Sequence, residues 1–245
     1  MFDDGSWREY RGSLEAVASG SGLLTVNQVS LERYLYSVVS REMDMGFEPV
    51  ALQVEAVVAR TYALYLSDHA ETRPAYDICS SSWQCITYSG VRYGDASGYT
   101  RDYEHPNGVA AVDATRGLTR VLNGDPIYAE ASASNGGMTR AWDNWPPRPY
   151  LRAAYDDWDS DTSPHASWTA SVSASSVEAR YPAVGHLLGI EVLKRDGSGA
   201  WGGRVTEVKI TGDAGSVTVS GDEFRWVSPY PDSPNGLRSA WWTLS

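Results

Sequence analysis

The chain has 245 residues, 42% hydrophobic and 21% charged, ample to bury a core in one large domain or two small ones. Its 31 acidic against 20 basic residues give a formal net charge of -11, a field that repels polyanions and speaks against nucleic acid as a partner. No apolar run approaches the roughly 20 residues that span a bilayer. No basic segment followed by an apolar stretch opens the chain, so it is either cytoplasmic or, the preferred reading, extracytoplasmic with its signal segment removed.

Along the chain, "YRGSLEAV" and "SGLLTVNQV" read as a strand pair around a Gly/Ser turn. In "SLERYLYSVVSREM" Ser30 is placed to cap a helix, and Leu31, Leu35, Val38 and Val39 form an apolar stripe at helical spacing. The stripe ends on Glu42. A carboxyl in line with a core-facing stripe is expected to be desolvated, which favours its protonated form and suits a general acid. The structural alternative is a buried ion pair with Arg60 or Arg41.

"GFEPVALQVEAVVARTYALYLSDH" resumes the helical pattern, with Pro49 at its first position. Val50, Val54, Val57, Val58 and Tyr65 mark one apolar face, and Ala56, Ala59 and Ala63 a second, small-residue face, so the helix is expected to be buried on most sides. Glu55 and Arg60 sit within it. Arg60 either pairs with an acid, snorkels to the surface, or grips a carboxylate at the edge of a cleft with two parallel hydrogen bonds.

Residues 70–108 are rich in Gly, Ser, Tyr and Asp and read as a loop-rich insertion. Cys79 and Cys85 within it are expected to form a local disulfide, with zinc at the two cysteines as the alternative; no His lies at convincing ligand spacing. Next come "GVAAVDATRG", a short helix or turn, and "LTRVLNGDPIYAEASA", two strands around Asn123-Gly124. "ASNGG", residues 133–137, reads by itself as a hairpin turn, though Ser132, Ser134 and Asn135 offer polar groups and the glycines allow close approach. "YDDWDSDTS" reads as a solvated acidic turn, not a Ca²⁺ loop. In "SSVEARYPAVGHLL" Ser175 and Glu178 form a capping box. "GIEVLKR" and the hairpin "RVTEVKITGDAGSVTVSG" follow. The whole reads as α+β, mostly antiparallel sheet and hairpins around two central helices with a substrate cleft, in a single domain over residues 1–245. Ten Trp and fifteen Tyr against three Phe suit either a half-wet sugar-binding surface or an aromatic-rich β-structure, and composition alone favours the latter.

Taken in order, "SLERYLYSVVSREM", "ALQVEAVVARTYAL", "CITYSG", "AVDATRG", "NGDPIYAEASASNGGMT" and "RPYLRAAYDDWD" resemble the SpoIID/LytB family over nearly the whole chain. The resemblance implies a lytic transglycosylase acting on cell-wall peptidoglycan, needing no cofactor, with Glu42 as catalytic acid/base. It also implies glycan contacts at Arg60, Ser132, Ser134, Asn135, Gly136 and Tyr150, with Trp142 and Trp145 as stacking rings. Arg60 would meet the free lactyl carboxylate of strands stripped of stem peptides. The family's other branch offers the alternative of a non-catalytic wall-binding modifier that stimulates an amidase partner. A glycan hydrolase is a third reading, and calls for a second carboxylate such as Glu130 or Asp143. The chain departs from the pattern at Ser40-Arg41 and Asp44, where prolines are usual, at Gln53 for Lys, at Glu55 for Gln, and at Ser132 for His.

Overall fold

The computed structural model describes residues 4–70, 75–80, 85–141, 148–227 and 236–244. Within the span read as one domain, the residues gather into two compact units, 1–131 and 132–245.

The first unit opens with β1 (Trp7–Glu9), then β2 (Ser13–Ser19) and β3 (Gly22–Gln28), which pair antiparallel with Ser19 opposite Gly22. This is the expected hairpin. Next come α1 (Leu31–Glu42) and α2 (Pro49–Asp68). Ser30 occupies the N-cap of α1 with extended backbone, but its hydroxyl makes no capping bond. Pro49 begins α2, where its missing N–H costs nothing.

Within 70–108, β4 (Arg92–Gly94) and β5 (Thr100–Asp102) join β1 in the antiparallel order β1-β4-β5. Then α3 (Pro106–Ala114) packs on α1 and α2. Gly108 permits this approach, since a Cβ there would lie 2.4 Å from Ser40 Oγ. The hairpin β6 (Val121–Leu122) and β7 (Asp125–Pro126) turns at Asn123 and Gly124, both with positive φ (55° and 98°), as a two-residue turn of this hand requires.

The core of this unit is Tyr34, Leu35, Val38 and Val39 of α1 against Ala56, Ala59 and Ala63 of α2, with Val112 of α3. The small-residue face is therefore the packed face of α2. Val50 and Val54 are 65% and 58% exposed, so the burial expected for that face does not hold over the first two turns of the helix. Alanines let backbones approach closely, and the neighbouring helices take that side.

In the second unit, α4 (Asp157–Thr162) and α5 (Ala174–Arg180) precede the antiparallel sheet of β8 (Leu187–Arg195), β9 (Val205–Gly212) and β10 (Gly215–Ser220), and α6 (Gly221–Phe224) follows. Strand β9 lies in the middle, with Val205, Val208 and Ile210 buried in a core that includes Val177, Phe224 and Trp242. The cap of α5 is Ser173, whose Oγ accepts from Ser176 N at 3.1 Å, not the expected Ser175. Glu178 instead accepts from Leu187 N at 2.8 Å and ties α5 to the start of β8. Among the described residues every strand ladder is antiparallel, and the mixture of helices and small sheets is α+β. No described helix is long and apolar enough to cross a membrane.

Candidate functional site

The first unit carries a pocket of about 460 Å³ whose lining includes Glu42, Glu55, Tyr62, Cys85, Tyr128 and Glu130. Helix α1 brings Glu42 to it, because the stripe Leu35, Val38 and Val39 is fully buried and the next position in phase is the last residue of the helix. There the chain leaves the helix, and Glu42 is exposed. The expected dry carboxyl is thus corrected: α1 ends before its core can close over Glu42. No ion pair links Glu42 to Arg41 or Arg60; the Arg41 guanidinium lies 5.0 Å from the Tyr103 ring centroid.

The sheltered acid of the pocket is Glu55. Helix α2 presents it one residue before the buried Ala56, and it is half-buried. Burial, and then the nearby charge of Glu42, push its carboxyl up to about 7. Sequence reading passed over this residue as a departure from a family pattern. The available signal was a lone carboxylate one residue from the alanine face that forms the core.

Two rings complete one wall. Tyr62 of α2 and Tyr128, just beyond β7, meet edge to face with centroids 5.1 Å apart. The lining also includes Cys85, bonded to Cys79 across a Cα–Cα distance of 5.7 Å. In that state neither sulfur offers a thiolate to a metal. Among the described residues, no group of three His, Cys, Asp or Glu side chains is arranged to hold a metal ion.

Arg60 is not at the edge of this pocket's chemistry. It is 1% exposed and donates from Nε and Nη2 to Glu32 Oε1 and Oε2, at 3.0 and 2.8 Å. It also donates to the carbonyls of Val112 and Leu118, at 3.2 and 3.1 Å. The expected grip on a substrate carboxylate is therefore corrected. The fork is filled by Glu32, whose carboxyl burial pushes up but which Arg60, with the Gly117 N–H, holds below its usual value.

The remaining expected residues belong to the second unit. Asp159 Oδ2 accepts from Ser134 Oγ (2.8 Å) and from the backbone N–H of Asn135 (3.0 Å), Gly136 (2.6 Å) and Gly137 (3.3 Å). Asn135 Nδ2 donates to Asp156 Oδ2 at 2.7 Å. Positive φ at Gly136 and Gly137 (74° and 95°) turns the successive amides toward one point, which makes an anion-holding concavity that the chain fills with its own aspartate. Ser134, Asn135 and Gly136 thus spend their donors on the loop's own shape. The acidic stretch is correspondingly no mere solvated turn: Asp156 caps α4 and Asp159 organises the loop. Ser132 Oγ donates to Ser134 O at 3.2 Å, and Tyr150 is half-buried. Trp142 and Trp145 lie outside the described residues.

Residues 19–121, which hold α1, α2 and most of the pocket, match the family model described as stage II sporulation protein, SpoIID. Through that segment the chain is similar to the SpoIID family. It is 30% identical over 194 residues to stage II sporulation protein D of Bacillus subtilis, covering 77% of this chain and 52% of that protein. The protein of the same name from Bacillus amyloliquefaciens is 29% identical over 142 residues, 55% of this chain and 41% of the relative. An uncharacterised protein of Brachyspira hyodysenteriae is 29% identical over 136 residues, 56% of this chain and 34% of the relative. The alignments span about half or less of these relatives' lengths.

Proposed function

We propose that this protein cuts the glycan strands of peptidoglycan as a lytic transglycosylase, outside the cytoplasm, with Glu42 as general acid/base. The observation that carries the reading is that Glu42, within the segment matched by the SpoIID family model, lines a pocket together with Glu55 and Glu130. In the reaction Glu42 gives its proton to the glycosidic oxygen, and the bond from that oxygen to C1 of muramic acid breaks with its electron pair leaving on the oxygen. The C6 hydroxyl of the same sugar then bonds to C1, and its proton returns to Glu42. The strand becomes two fragments, one with a 1,6-anhydro end, and no water is consumed.

Exposure of Glu42 in the unliganded pocket is compatible with this role, because a bound glycan displaces water and desolvates the carboxyl where the bond breaks. A preference for strands stripped of stem peptides has no support in the pocket's charge. Its lining holds Glu42, Glu55 and Glu130 and, among the described lining residues, no Lys, Arg or His. A lactyl carboxylate would meet repulsion there.

The same three carboxylates favour one second reading, glycan hydrolysis, in which a second carboxylate activates water. Mass spectrometry of the products from purified glycan separates the two. Transglycosylation gives anhydro-ended fragments, hydrolysis gives fragments heavier by one water, and intact strands with an amidase stimulated in a mixture give the non-catalytic modifier.

A further inference from the structure

We propose that Glu55 and Glu42 work as a one-proton pair, in which Glu55 is the positioning residue that keeps an acidic proton in the pocket at neutral pH. This rests on the glycan-cleavage reading of the same pocket.

The two side chains come from different helices, Glu55 from α2 and Glu42 from the end of α1, and line one pocket. Glu55 is half-buried and, among the described residues, receives no hydrogen bond and no ion pair. A carboxylate so placed has nothing to stabilise its charge. The charge of Glu42 from α1 deepens the problem, and Glu130 from the segment after β7 lines the same pocket. Tyr62 of α2 and Tyr128 bring phenols, and the segment beside the disulfide brings Cys85, Ile86 and Thr87, none of them cationic.

Two carboxylates lining one pocket resist ionising together, the more so where one of them is half-buried. The Glu55 carboxyl is pushed up to about 7, by its burial first and by the nearby charge of Glu42 second. Below that value the half-buried Glu55 keeps a proton in the pocket. When glycan enters, the proton crosses to Glu42 directly or through one bridging water. The O–H bond at Glu55 breaks as that at Glu42 forms, the pair's charge is unchanged, and Glu42 then donates to the glycosidic oxygen. A glutamine at position 55, the residue the family pattern usually has there, holds no such proton.

The test is the pH dependence of cleavage of purified peptidoglycan glycan by the whole chain, as wild type, Glu55→Gln and Glu42→Gln, together with carboxyl ¹³C NMR titration of each. Expected for Glu55→Gln is retained cleavage at acidic pH with the upper limb of the profile moved down by about one unit or more, hence roughly a tenfold loss above the limb. A Glu55→Gln profile that overlays wild type, with Glu42→Gln inactive, overturns the pair and leaves the cleavage reading standing. If wild type does not cleave, that reading fails and the titration decides the pair alone. A carboxyl signal titrating near 7 that vanishes in Glu55→Gln supports it, and the absence of any such signal in wild type overturns it.

Discussion

Arg60 and Glu32 meet fork to fork inside the first unit, Nε to Oε1 at 3.0 Å and Nη2 to Oε2 at 2.8 Å, with the arginine fully enclosed. The pair joins α1 to α2, and the remaining Arg60 donors reach the C-terminal end of α3 through Val112 O and the following segment through Leu118 O. Removing one partner leaves a buried charge uncompensated, so Arg60→Ala is expected to cost about 3–5 kcal/mol of unfolding free energy. Arg60→Lys keeps the charge but not the fork, and is expected to cost about half as much. Denaturant titration checks both, and an Arg60→Ala protein as stable as wild type contradicts the clamp. Because Glu32 is held below its usual 4.5, the pair's contribution is complete above that pH and is lost as pH falls through the lowered value.

Glu55 gives a stability prediction of opposite sign. Its folded value of about 7 lies above the ordinary 4.5, so the folded state binds the extra proton between those values and loses stability as pH rises through the window. Glu55→Gln carries no charge to bury. It is expected to be more stable than wild type by about 1–3 kcal/mol at pH 8, an advantage that shrinks toward zero near pH 4. Equal differences at both pH values contradict the burial assigned to this carboxyl.

The Asp159 anchor predicts a local effect. Asp159→Ala removes the acceptor of four hydrogen bonds and leaves the amides of Asn135, Gly136 and Gly137 without their partner. Amide hydrogen exchange at those three residues is expected to speed by at least roughly tenfold, with about 1.5–3 kcal/mol lost from the second unit. Unchanged protection means the loop's shape has another source.

The bond between Cys79 and Cys85 closes a short loop, and its reduction is expected to cost about 2 kcal/mol. Thermal unfolding with and without reductant measures this. Since Cys85 lines the pocket, faster exchange at Ile86 and Thr87 should accompany reduction.

What was legible in the sequence was what local chemistry decides. Asn123-Gly124 gives its turn because both residues tolerate positive φ, and Pro49 starts α2 because its ring forbids an earlier turn. The stripe of α1 named its own core residues. What failed needed partners distant in sequence. Periodicity put Glu42 in phase with the core but carries no sign of where α1 ends. Arg60 was recognisable as a buried or gripping cation, but only the fold selects Glu32, twenty-eight positions away, over Glu42. Both faces of α2 read as buried, yet close packing chose the alanines and left Val50 and Val54 exposed. The Ser-Asn-Gly-Gly loop read as a turn, and the carboxylate that shapes it lies more than twenty residues on.

The central claim, glycan cleavage by Glu42, is tested most directly by incubating purified peptidoglycan strands with wild type and with Glu42→Gln, both verified as folded, and weighing the products. The account predicts 1,6-anhydro-ended fragments from wild type and at least roughly a hundredfold fewer from the variant, the loss of a general acid. Anhydro products formed equally fast by Glu42→Gln contradict it.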